Sequence, residues 1–229
     1  MFDRALKPEV IRLGTRPSQL ALRQAEEIKR LLPSVSFETV LIKTAGDKDK
    51  VTPFSVFEGS DFFTREIEAA LLKGNIDAAV HSAKDLEDIM PPQLTIAAIT
   101  GSISAFECLV SGGNKKLDEL PKGAVIGTSS RKRKEALRRY RADFIVRDIR
   151  GTIQERLEQL DERKFDAIIV AQAALIRLGQ KERIAEIISP AIIEPHPLQG
   201  ALAIQVRADR ADLMRIFSKL QGVNYENKS

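Results

Sequence analysis

GTSSRKRKEALRRYR, residues 127–141, decides how the chain is read. Gly123–Gly127 reads as a short strand, Gly127–Ser130 as a turn, and Ser130–Tyr140 as a helix. Arg131, Lys132, Arg133 and Lys134 fill the first turn of that helix. The helix dipole disfavours cations there, so the placement costs a little stability. A bound anion explains it, because backbone N–H groups at a helix start attract anions and the Ser129 and Ser130 hydroxyls add donors. A solvated charged face is the plainer alternative.

The same strand–turn–helix unit recurs along the chain. LGTRPS, residues 13–18, carries Arg16 and Ser18 between a strand at Val10–Leu13 and a helix running to about Leu32, with Leu20, Ile28 and Leu31 inward. DIRGTIQERL, residues 148–157, carries Arg150 at a strand end and Arg156 two turns on. AAVHSAKDLEDIMP, residues 78–91, places Lys84 and Asp85 just after a buried strand at Asp77–His81. An acid beside a cation in such a place can stabilise a developing cation or relay a proton, although Lys-Asp after a strand is more often a turn or salt bridge.

The remaining pattern continues the alternation. Strands are expected at Phe37–Ile42, Leu94–Ile99, Phe144–Val146, Asp166–Val170 and Ala201–Val206. Helices are expected at Phe62–Leu72, Ile153–Arg163, Ala171–Leu178, Glu182–Ile187 and Arg210–Leu220, with Asp47–Asp61 a polar loop. Repeated βα alternation predicts an α/β fold of two lobes, residues 1–101 plus 200–229 and residues 104–196, joined by two crossovers near 100–104 and 190–200. In such sheets ligands bind at the carboxyl ends of strands, so the Arg- and Ser-bearing loops are expected to point at one cleft.

Composition narrows the chemistry. The chain has 229 residues, 43% hydrophobic and 30% charged, which suits a globular protein. No run of about 18 apolar residues occurs, so no membrane span is expected. The first residues lack an apolar signal core, so a cytoplasmic location is expected. One cysteine, Cys108, and two histidines, His81 and His196, leave no disulfide and no metal cluster in view. Cys108 reads as a buried apolar residue and His81 as a satisfied core histidine. Net charge is only +4, and Tyr140 is the one aromatic residue within the basic stretch 127–141, so nucleic acid is a poor candidate partner. GxGxxG, Walker A and GxSxG patterns do not occur.

Together these units resemble porphobilinogen deaminase, also called hydroxymethylbilane synthase. The resemblance rests on IRLGTRPSQLAL, DAAVHSAKDLEDIMP, GTSSRKRKEAL, RGTIQERLEQL, DAIIVAQAALIRLG and PLQGALAIQ, in the family's order and spacing over roughly residues 10–220. It implies a two-lobed α/β body similar to type-II periplasmic binding proteins. It also implies a transferase of tetrapyrrole (haem) biosynthesis that condenses four porphobilinogen units head to tail, releasing ammonia each time. The anions are then acetate and propionate groups on pyrroles. Asp85 matches the family's catalytic aspartate, with Lys84 beside it, and supports loss of ammonia through an azafulvene cation. Arg16, Ser18, Ser129, Ser130, Arg133, Arg150 and Arg156 match family carboxylate-binding positions, and Lys132 stands where the family has arginine.

Three departures accompany the resemblance. The family's third domain, whose cysteine bonds a dipyrromethane primer, is expected to be absent, because the sequence stops at QGVNYENKS; any dipyrromethane is then expected to be held non-covalently. Whether a partner chain supplies that domain is open. Val56 and Ser60 stand where the family carries two lysines, and Leu198 replaces the first glycine of its GQG. A two-lobed polycarboxylate-binding protein without turnover is the alternative reading.

Overall fold

A computed structural model describes residues 10–48, 61–86 and 89–224. The chain divides into two compact units: one holds the described residues of 10–103 and 201–224, the other residues 104–200.

The first unit is built on strands β1 (Ile11–Thr15), β2 (Phe37–Leu41), β3 (Ala78–Ser82), β4 (Leu94–Ile99) and β10 (Leu202–Arg207), in the order β2-β1-β3-β10-β4. Helix α1 (Gln19–Leu31) begins where Ser18 accepts a hydrogen bond from the Ala21 N–H. Its inward stripe is Ala21, Gln24, Ala25 and Ile28, spaced as one helix face. Leu20 and Leu31, expected inward, are only half-buried. The small alanines let α1 lie close to the sheet, and the larger leucines fall at the margin. Short helix α2 (Ala45–Lys48) follows β2. The helix expected at 62–72 is a 3-10 turn, Asp61–Phe63, and then α3 (Arg65–Leu72), whose Ile67 and Leu71 are fully buried. Helix α7 (Ala211–Phe217) closes the unit with Leu213 and Phe217 against Ile11, Leu13, Val80 and Ile204. Each such side chain contributes about 1.5–3 kcal/mol.

The second unit holds β5 (Glu107–Ser111), β6 (Val125–Gly127), β7 (Ile145–Arg147), β8 (Ala167–Ala171) and β9 (Glu186–Ile188), in the order β7-β6-β8-β5-β9. Its helices are α4 (Arg131–Tyr140), α5 (Ile153–Asp161) and α6 (Gln172–Leu178). Strand β8 is buried on both faces. Ala167 and Ile169 pack with Leu137 of α4, whereas Ile168 and Val170 pack with Leu157 of α5 and Cys108 of β5. A sheet covered by helices on both sides reads as a continuous apolar run, as AIIVA does.

Two expectations fail here. Glu182–Ile187 is not a helix: a 3-10 turn at Lys181–Arg183 leads into β9, which pairs with β5 and buries Ile188 while exposing Ile187. Gly179, in the left-handed region, has already ended α6, and too few residues remain for another helix. Residues 107–111, given no element from the sequence, form β5. The expected α/β class holds in both units.

Candidate functional site

In each unit the parallel strands end along one edge, and the sequence-predicted residues lie there. They divide between the units: Arg16, Ser18, Lys84 and Asp85 in the first, and Ser129, Ser130, Lys132, Arg133, Arg150 and Arg156 in the second.

In the first unit, Arg16 follows β1. Its Nε and Nη2 donate to Asp47 Oδ1 at 3.1 and 2.5 Å, and its guanidinium stacks 4.3 Å from the Phe63 ring centre. Burial pushes the Asp47 carboxyl up, but hydrogen bonds from Arg16 and Thr44 outweigh it and hold the group below its ordinary range. Lys84 and Asp85 occupy a 3-10 turn directly after β3. That turn is braced from behind: Gln24 donates to Ser82 Oγ at 2.9 Å, and the Ala83 N–H donates to the Ala201 carbonyl at 3.0 Å. Asp85 is exposed and carries no ion pair among the described residues. A carboxylate exposed on a braced turn can meet a ligand's cation or N–H.

His81 lies beneath this turn. It is buried and bonded to Gln205 Oε1 at 3.1 Å, while Gln205 donates onward to Glu68 at 2.9 Å. Burial, with the charge of Arg16 added, lowers its pKa to about 4, so it is a neutral core histidine, as the sequence suggested.

In the second unit, Ser130 caps α4, accepting from the Arg133 N–H at 3.5 Å. Ser129 is buried and donates its hydroxyl to the Ile149 carbonyl, tying the β6–α4 turn to the β7–α5 turn. Lys132 pairs with Glu194 at 2.8 Å in an exposed setting. Arg133 reaches inward instead: Nε and Nη2 donate to the two oxygens of Glu107 at 2.8 and 2.7 Å, and Nη1 donates to the Ile169 carbonyl at 3.3 Å. Arg150 is half-buried at the turn before α5, and Arg156 donates from Nε to the Gly151 carbonyl at 2.9 Å. Gly151 sits at φ +100°, where a side chain would meet Glu155, the residue that completes the α5 capping box with Thr152.

The electrostatics of this edge are informative. Burial, then repulsion from Arg133 and Arg150, lowers the Arg156 pKa to about 10. Guanidinium groups are among the hardest to deprotonate, so this depression reflects first the burial of Arg156 and then the neighbouring positive charge of Arg133 and Arg150. Three residues escaped the sequence reading. Glu107 and Asp47 are the internal counter-ions of Arg133 and Arg16. Thr128 is fully buried beside the α4 turn, and its Oγ1 has no hydrogen-bond partner among the described residues. The GTSS turn contained the signal for Thr128; nothing near Asp47 or Glu107 signalled theirs. Val56 and Ser60 lie outside the described residues.

Residues 11–215 match the family model described as porphobilinogen deaminase, dipyromethane cofactor binding domain. The chain belongs to the porphobilinogen deaminase family. Among porphobilinogen deaminases, it is 42% identical over 214 residues to that of Desulfitobacterium hafniense, covering 92% of this chain and 70% of that one. With that of Acidothermus cellulolyticus the identity is 43% over 218 residues, covering 94% and 66%. With that of Deinococcus radiodurans it is 44% over 206 residues, covering 87% and 67%. The chain thus spans about two thirds of the length of these relatives.

Solved structures bear out the fold expected of a porphobilinogen deaminase. A putative methionine-binding lipoprotein from Bacillus subtilis superposes with a TM-score of 0.57 at 12% identity, covering 93% of this chain and 90% of that one. A putative lipoprotein from Actinomyces odontolyticus gives 0.55 at 18%, covering 92% and 89%. At such identities the likeness is one of fold alone. No helix among the described residues is long and apolar enough to cross a membrane.

Cys108, the single cysteine of the sequence, is fully buried on β5, its thiol bonded to the Val170 carbonyl at 3.5 Å. Burial, with Glu107 alongside, pushes its pKa up to about 12. A thiol so placed is inert, and it fits no covalent attachment of a primer.

Proposed function

We propose that this chain carries the dipyrromethane- and porphobilinogen-binding half of a hydroxymethylbilane synthase reaction, the deaminative head-to-tail condensation of porphobilinogen. The match of residues 11–215 to a dipyromethane cofactor binding domain carries this reading, with Arg133, Arg150 and Arg156 set at the starts of α4 and α5. A cluster that costs stability in the empty protein is repaid by a ligand bringing several carboxylates, and each pyrrole of this chemistry brings two.

The donor set suits dipyrromethane. Within the second unit, Arg150, Arg156, Ser130 and the α4 N-terminus would take carboxylates; within the first, Arg16, Ser18 and Lys84 offer donors of the same kind. When bound, dipyrromethane supplies the pyrrole end to which the next unit is joined. Asp85 accepts hydrogen bonds from pyrrole N–H groups and stabilises the cation left as ammonia departs. Lys132 adds charge without the planar fork of an arginine. A cytoplasmic location belongs to the same reading.

The test is turnover. Purified protein supplied with dipyrromethane and porphobilinogen is expected to release ammonia and form a linear tetrapyrrole. Asp85→Ala is expected to lower that rate by about two to four orders of magnitude while leaving porphobilinogen binding in place. Binding without product in the parent protein would replace the enzyme reading with that of a carboxylate receptor.

A further inference from the structure

Glu107 is the acid that pairs with Arg133 in the arginine cluster of the second unit. It is the first residue of β5, which runs antiparallel to β8 and opposes Ala171, the last residue of β8. An antiparallel strand brings its start to the edge where parallel strands finish, so Glu107 arrives beside the turns that carry Arg133 and Arg150. Its side chain is 5% exposed and that of Arg133 is 11%. The pairing is fork to fork, both carboxylate oxygens engaged, and the Ile169 carbonyl fixes the third corner of the guanidinium. The inner N–H groups of Arg133 are therefore spent inside the protein. Only the outer N–H on each Nη remains for a ligand, in one fixed plane.

We infer that Glu107 is a positioning and specificity-determining residue of the carboxylate site: it holds the Arg133 guanidinium in one plane and cancels its charge. The inference rests on the functional reading above. Without Glu107 the site is a concentrated cationic pocket that takes any small anion. With it, excess charge is lowered, which weakens a compact dianion such as sulfate more than a single carboxylate, and the outer N–H pair offers a ligand one fixed plane. Glu107 touches Arg133 and acts on ligands through it.

The experiment measures equilibrium binding of inorganic sulfate and of porphobilinogen to the full chain and two variants. Glu107→Gln keeps the shape but removes the charge and turns one acceptor into a donor facing Nη2. It is expected to bind sulfate roughly fivefold to tenfold more tightly, with a steeper salt dependence, while porphobilinogen gains less. A folded Glu107→Gln protein whose sulfate affinity matches the parent overturns the inference, since a pair that only braces the fold leaves that affinity alone. The double variant Glu107→Gln/Arg133→Gln removes both charges as a neutral pair, so it is read even if the single variant fails to fold. It is expected to keep sulfate affinity within about twofold and to lose about tenfold in porphobilinogen affinity. Porphobilinogen affinity equal to the parent's would also overturn the inference. Absence of porphobilinogen binding in the parent counts against the proposed function instead, and the sulfate comparison still decides the role of Glu107.

Discussion

Arg156 should destabilise the protein that contains it. Its pKa is lowered to about 10 by burial and by Arg133 and Arg150, well below the ordinary value for arginine. That difference corresponds to roughly 3 kcal/mol of cost for keeping the group charged in the folded state. The sign follows from linkage: a base whose folded pKa is depressed binds protons less readily when folded. Below pH 10 both folded and unfolded chains are protonated, so the full cost is present at neutral pH and lifts only as pH rises past 10. Arg156→Met removes the charge and retains much of the packing. It also loses the hydrogen bond from Nε to the Gly151 carbonyl, worth about 1 kcal/mol. The net expectation is a gain of about 1–2 kcal/mol, or roughly 3–6 °C in melting temperature at low ionic strength. The same variant should lose anion binding. Thermal melts across a sulfate titration read both effects: the parent should climb with sulfate, and the variant should start higher and climb less. A variant that melts several degrees lower and keeps the full sulfate response would show Arg156 to be an ordinary structural arginine, and the charge-cluster argument would fall with it.

Two further outcomes are expected. Cys108→Ala should leave turnover and dipyrromethane retention intact and cost roughly 1 kcal/mol for the buried sulfur, and native Cys108 should resist aromatic disulfide reagents at pH 8 until the protein unfolds; rapid native labelling would refute its inert placement. Gly151→Ala should cost about 1–3 kcal/mol in denaturant melts and weaken anion binding, because the new side chain meets Glu155 and forces a backbone at φ +100° that suits glycine alone; an alanine variant as stable as the parent would show that the turn can relax.

What could be read from the sequence was local. Ser18 was legible as a helix cap because the capping hydroxyl and the N–H it accepts lie three residues apart; Ser130 caps α4 in the same way. The loop arginines were legible because each follows an apolar strand and precedes a helix. Strand β5 was not legible: ECLVS is too short for periodicity to separate strand from helix, and its partner β8 lies some sixty residues on. The same distance hid the fate of Arg133. Its position at a helix start suggested a ligand contact, whereas its inner donors belong to a glutamate on an unassigned strand. Asp47 was hidden for another reason: it reads as one polar residue in a polar loop, and only folding sets it against Arg16.

The two sheets explain why counter-ions were the hardest feature to foresee. Both have the same order: three parallel strands, then one antiparallel strand, then an edge strand. In each the antiparallel member is the first strand after the chain passes from the other unit, β5 in one and β10 in the other. Its opening residue is the one place where a strand start meets the edge made by strand ends. In the second unit that residue is Glu107, opposite Ala171; in the first it is Leu202, opposite Ser82. The equivalent positions thus carry a carboxylate in one unit and an apolar side chain in the other. Arg133 is neutralised from the sheet itself, whereas Arg16 takes its counter-ion from Asp47 on α2. Glu107 is fixed by the ladder on both sides of its strand, whereas Asp47 sits on a four-residue helix and is held by the Thr44 N–H and hydroxyl, which both donate to Oδ2. Should a ligand carboxylate reach either arginine, displacing Asp47 from Arg16 is expected to be easier than displacing Glu107 from Arg133, so Arg16→Lys should disturb the fold less than Arg133→Lys.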